Sequence, residues 1–127
     1  MSTVVSRVAN VMVPVADQDE ALRFYTERLG LELRVDAPFG DGERWIEVAP
    51  AGAETSIALT PPGPNGTTGN QQTGITLATD DIDAYHAQLR KKGVDVDPEI
   101  SRYGNGVPPM FWFRDPERNV LLVVEVR

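Results

Sequence analysis

Glu47 lies two residues after Trp45 in the segment Arg44-Trp45-Ile46-Glu47-Val48. In an extended strand this spacing puts a carboxylate beside an indole on one face, with Ile46 and Val48 on the other. A flat ring next to an anion is chemistry that would hold an aromatic or amine-bearing organic molecule. Trp112 offers a second flat surface, because Phe111 and Phe113 take the opposite face. Core or subunit packing is the plainer use of both tryptophans. The remaining reactive residues are sparse. There is no cysteine and a single histidine, His86, which excludes disulfides, thiolate zinc, iron–sulfur clusters, a cysteine nucleophile and a multi-histidine centre within a single chain. A serine triad would have to be built around His86, and Ser6, Ser56 and Ser101 carry no local signature for one. The glycines of Phe39-Gly40-Asp41-Gly42 are spaced as in a phosphate loop, but a strand follows them, so they read as a hairpin turn. The pairs Asp80-Asp81 and Asp95/Asp97 read as helix caps and solvated edges.

The elements that must position these groups follow from periodicity. Residues 8–15 alternate as a strand. Asp17 is placed as a helix N-cap with Glu20 as capping-box partner; Ala21, Leu22, Tyr25 and Leu29 make the apolar stripe, and Gly30 stops the helix. Strands are expected at 31–35, 44–49 and 55–60. Residues 61–73, rich in Pro and Gly and devoid of hydrophobic side chains, form a linker. The order then repeats: a strand at 75–79, a cap at Asp80 or Asp81, a helix through Ile82, Tyr85 and Leu89, a stop at Gly93, and strands at 94–96, 110–114 and 120–126. On this helix His86 falls at the edge of the stripe and reads as a packing or surface residue. Adding 64 to a residue number carries Asp17 to Asp81 and Asp19 to Asp83, so the chain reads as a duplicated βαβββ unit. The expected fold class is α+β: two βαβββ modules, 1–60 and 74–127 about the 61–73 linker, in one domain spanning 1–127, with a curved mixed sheet and helices on its outer face.

Nineteen Asp and Glu against twelve Lys and Arg leave a net charge of −7 over 127 residues, which argues against nucleic-acid binding. No apolar run approaches the roughly 20 residues of a membrane span. The first seven residues do not have the charged start and apolar run of a signal peptide, so a cytoplasmic protein with no membrane partner is expected.

The order βαβββ–βαβββ resembles the vicinal oxygen chelate superfamily, the group of glyoxalase I, bleomycin-resistance proteins and extradiol dioxygenases. The resemblance rests on Val13-Pro14-Val15-Ala16-Asp17, Ala21-Leu22-Arg23-Phe24-Tyr25 with Leu29-Gly30-Leu31, Thr79-Asp80-Asp81-Ile82-Asp83-Ala84, and the turn Asp115-Pro116-Glu117-Arg118-Asn119. It implies metal ligands on the first and fourth strands of each repeat. Here those positions hold Asn10 and Ala58 in the first repeat, Gly74 and Leu122 in the second. Asn10 offers one amide oxygen and the others no donor, so no metal and no other cofactor are expected. Glu125 cannot replace Leu122, being three residues on and hence on the opposite face. In the late turn Arg118 stands where the family commonly has Gly in the left-handed conformation, so strain or an altered turn is expected there. The loop from Tyr103-Gly104-Asn105-Gly106 to Pro108-Pro109 serves as a flap or as a hairpin connection.

The resemblance, joined to strand parity, implies a metal-independent protein that binds a small organic molecule, similar to the antibiotic-binding resistance proteins, and a homodimer. Asn10, Met12, Ala58, Thr76 and Leu122 would line the pocket floor, Trp45 and Trp112 would stack on the ligand, and Glu47 would favour a cationic one. No residue is assigned a catalytic role. The alternatives are a lyase, isomerase or dioxygenase with unrecognised metal ligands, a metal-free acid–base catalyst using Glu47, and an interaction module without a small ligand.

Overall fold

The computed structural model describes residues 4–127; residues 1–3, where the N-terminal segment read above begins, lie outside that range. The chain divides into two compact units, 1–67 and 68–127, each a βαβββ module with its own four-stranded sheet.

In the first unit, β1 (Asn10–Pro14) leads into α1 (Gln18–Arg23). The Asp17 side chain accepts the Glu20 N–H at 3.0 Å, satisfying one of the amides that a helix start leaves without a partner. The helix loosens into a π-helical turn over Phe24–Arg28, and Gly30 ends it at φ +84°. Strands β2 (Glu32–Pro38), β3 (Arg44–Ala49) and β4 (Ser56–Thr60) follow. The sheet order is β1-β4-β3-β2, with β1 parallel to β4 and the other pairs antiparallel. The second unit repeats this with β5 (Gln72–Thr79), α2 (Ile82–Lys91), β6 (Asp95–Val96), β7 (Met110–Arg114) and β8 (Val120–Glu125), in the order β5-β8-β7-β6. Of the two candidate caps, Asp81 holds α2, accepting the Ala84 N–H at 3.0 Å.

Each sheet is covered on one face. Val13, Ile46, Val48, Ile57 and Leu59 are buried, share one parity class, and form a core with Ala21, Phe24, Tyr25 and Leu29. In the second unit the covered face carries Phe111, Phe113, Leu121 and Val123. Two contacts show that α2 lies on that face. The Glu125 carboxylate accepts the Ile82 N–H at 3.1 Å, and the His86 ring meets Phe111 edge-on at 4.8 Å.

The repeat holds at the level of register, with one departure. Met12 pairs with Ala58 and, 64 residues on, Thr76 pairs with Leu122. Asn10 pairs with Ser56, but the residue opposite Val120 is Gln72, not Gly74. A bulge at 73–75 accounts for the difference: Gly74 sits at φ +74°, and the Thr73 hydroxyl donates to the Val120 carbonyl at 2.8 Å. Strand β5 therefore begins at Gln72, inside the stretch expected to be linker. Strand β2 runs on to Pro38, three residues past its expected end.

The Asp115–Asn119 turn is tightly wired. Asp115 Oδ1 accepts the N–H groups of Glu117 and Asn119, both at 2.9 Å, and Oδ2 accepts the Asn119 side-chain amide at 3.0 Å. Arg118 adopts the left-handed conformation, φ +66°, so of the two expectations it is the strained residue that is seen. The 101–110 loop is a hairpin connection closed by mutual backbone bonds between Ser101 and Met110 (2.8 and 3.1 Å), with Tyr103 and Val107 exposed beyond them.

Candidate functional site

The face of each sheet away from its helix carries the residues singled out from sequence. In the first sheet, Met12, Ala58, Glu47 and Val35 stand in one cross-strand row through β1, β4, β3 and β2. Ala58 is fully buried, whereas Met12 is 58% exposed. Trp45 and Asn10 share this face, one step along their strands, and both are half-buried. In the second sheet the equivalent row is Thr76, Leu122 and Trp112. Trp112 is 36% exposed, while Phe111 and Phe113 on either side are fully buried. Trp112 thus occupies the place that Glu47 holds in the first sheet.

Trp45 and Glu47 are joined directly: the indole Nε1–H donates to Glu47 Oε2 at 2.6 Å. The other carboxylate oxygen accepts the Ser56 hydroxyl at 2.5 Å. These two donors, Ser56 first and Trp45 second, hold the Glu47 carboxyl below its ordinary range, aided by the positive charge of Arg7 and opposed by partial burial. Phe39, read from sequence only as part of the β2–β3 turn, braces the indole edge-on with ring centroids 5.7 Å apart. Ser56 is the residue the sequence reading missed at this site. Its parity matched Ala58, two residues on, but its contact with Glu47 depends on the β3–β4 register, which the intervening turn sets.

His86 and Glu125 serve the scaffold. His86 is 8% exposed and its Nε2–H donates to the Asp97 carbonyl at 2.7 Å, tying α2 to the segment after β6. Glu125 caps α2 and pairs with Arg127 at 3.2 Å. A cleft of about 360 Å³ lies beside the start of α1, lined in part by Asp17, Gln18, Asp19, Glu43 and Arg44. Its main polar groups are already engaged. Gln18 bonds the backbone of Arg44 and Leu59 (2.6, 3.1 and 2.9 Å), and Arg44 pairs with Asp19 and Asp36. It is a joint between helix and sheet.

The donor set for a divalent metal does not fit. At the positions to which the resemblance assigns ligands, Ala58, Gly74 and Leu122 have no donor atom, and the bulge takes Gly74 out of register. Among the described residues, no three His, Asp or Glu side chains are grouped to hold one ion. Glu47, the nearest carboxylate in the row, has both oxygens engaged by Ser56 and Trp45. Among the same residues, no helix is long and apolar enough to cross a membrane.

Comparison with known proteins agrees with this architecture. The family profile described as the glyoxalase/bleomycin resistance protein/dioxygenase superfamily matches residues 7–123. The uncharacterized protein YetH of Bacillus subtilis (strain 168) is 30% identical over 123 residues, covering 95% of this chain and 99% of its own. TnmS3, an antibiotic binding protein from Streptomyces sp. CB03234, superposes with a TM-score of 0.85 at 36% identity, over 99% of this chain and all of its own. A superfamily member from Sphaerobacter thermophilus DSM 20745 superposes with a TM-score of 0.90 at 32% identity, over 98% of this chain and 100% of its own. With two βαβββ modules, their shared register and a profile match over nearly the whole length, the chain belongs to the glyoxalase/bleomycin resistance protein/dioxygenase superfamily.

Proposed function

We propose that this protein is a cytoplasmic, metal-independent binder of small, flat organic molecules on its open sheet faces, with Trp45 stacking above a floor of Asn10, Met12 and Ala58 on the first sheet, and Trp112 beside Thr76 and Leu122 on the second. One observation carries the reading. The rows to which the family resemblance assigns metal ligands hold Ala58 and Leu122, and an aromatic or Trp-bound side chain stands beside each. Small and apolar residues at such positions remove charge and make room for a bulky guest. The likeness to TnmS3, an antibiotic binding protein, supports the same class of ligand. Acid–base catalysis by Glu47 fits less well, since a carboxylate held below its ordinary range is a weak base at neutral pH.

The test is a pair of titrations. Acridine, a neutral tricycle at pH 7.5, is expected to quench tryptophan fluorescence saturably. Nickel, zinc, manganese and iron(II) at micromolar concentration are expected to leave the melting temperature unchanged. Saturable stabilisation of several degrees by any of these metals overturns the metal-independent reading, because such a shift requires a site in the native state. Absence of quenching overturns the flat-guest reading.

A further inference from the structure

The first sheet holds a negative charge that no ion pair neutralises; Arg7 acts on it only from beyond ion-pair distance. Glu47 receives two neutral donors, one on each oxygen, and no Lys or Arg lies within ion-pair distance of it among the described residues. Its neighbours across the strands are Ala58 and Val35. A half-buried carboxylate among apolar neighbours is poorly solvated, and each of its oxygens keeps a lone-pair direction after accepting one hydrogen bond. The cations nearby are spoken for: the Arg7 guanidinium donates to the Glu54 carbonyl at 2.7 Å, Arg44 pairs with Asp19 and Asp36, and Arg34 with Glu32 and the carbonyls of Pro50 and Ala53.

The indole beside it is affected by the same contact. Donation of Nε1–H to an anion polarises the ring and raises electron density on its faces, which strengthens attraction to a cation. The Phe39 brace and the Glu47 bond also fix the ring's orientation, so little rotamer freedom is left to lose on binding. A positive group placed over Trp45 would meet the ring face and the carboxylate together. From this geometry we infer that Trp45, Glu47 and Ser56 form a cation-recognition subsite, and that the guest carries a protonated amine or amidinium next to its flat ring system. The inference rests on the guest-binding reading and specifies the chemistry of the guest on the first sheet. Ser56 donates to the carboxylate oxygen that the indole does not engage.

Three tricycles of one shape and different charge test this at pH 7.5: 9-aminoacridine (cation), acridine (neutral) and anthracene-9-carboxylate (anion). The quantity read is the ratio of affinities within each protein. The wild type is expected to bind 9-aminoacridine about tenfold more tightly than acridine, and the carboxylate most weakly. In Glu47→Gln, with folding checked by circular dichroism, the cation-to-neutral ratio falls to about one. In Glu99→Gln, which removes an exposed acid elsewhere, the ratio stays near ten. Equal affinities in the wild type overturn the inference and leave the guest reading standing. An equal fall in both variants also overturns it, by assigning the preference to overall negative charge. In Trp112→Phe, Trp45 is the only indole, and 9-aminoacridine is expected to quench it; binding without quenching places the cation elsewhere and overturns the inference. If none of the three tricycles binds, the flat-guest reading falls and this inference with it.

Discussion

Glu47 shows how much of this protein's chemistry depends on one hydrogen-bond pair. Its folded-state carboxyl titrates below the ordinary value of 4.5, because the Ser56 hydroxyl and the Trp45 N–H favour the charged form. By linkage, the stability from the ionised group is fully present above the unfolded value and is lost as pH falls through the lower, folded one. Urea unfolding of the wild type and of Glu47→Gln across pH 7 to pH 3 is therefore expected to show a stability difference that is constant down to about pH 5 and then shrinks. A difference that grows on acidification would contradict the assignment of charge to the folded state. The Trp45–Glu47 adjacency was legible from a spacing of two in a strand. Ser56 and Phe39 were not, because each reaches the pair from across a turn, and a turn's geometry sets register in a way that side-chain alternation does not encode.

At the level of elements, the caps and stops carried the clearest signals. Asp17, Asp81, Gly30 and Gly93 hold the positions their chemistry suggests, since a short acceptor at a helix start and a residue free to take positive φ at its end are local requirements. The β5 bulge was hidden for the opposite reason. Thr73 and Gly74 look like linker, and only the ladder to Val120 shows that Gln72 already belongs to the strand. The Asp115–Asn119 turn is the element most exposed to a single change. Asp115→Ala would remove an acceptor serving three donors, two of them on the buried Asn119, and is expected to destabilise the fold by about 2 to 4 kcal/mol in equilibrium unfolding. A cost below about 1 kcal/mol would show that the turn holds without its side-chain hub.

For the whole molecule, the duplication was readable because the same physical grammar occurs twice: strand, acidic cap, helix, glycine, three strands. Residue identity between the halves is thin, and the positions on the open faces have diverged, so that Glu47 in one sheet answers to Trp112 in the other. That asymmetry was invisible to a fixed offset of 64, which carries Glu47 to Phe111 on the covered face. The family resemblance implies a homodimer, and sedimentation equilibrium at micromolar concentration is expected to return twice the chain mass. A single-chain mass would restrict the binding surface to what one copy carries.

The two sheets show apolar side chains to their surroundings, yet their borders offer little backbone for another chain to pair with. β6 is two residues long, β2 shifts register between Leu33 and Val35 and closes on Pro38, β1 ends in Pro14, and β5 is broken by its bulge. Short, kinked or proline-ended borders are poor templates for adding strands. The apolar side chains on these sheets are therefore flanked by borders that resist conversion into fibrils, a form of colloidal safety built into the outermost strands.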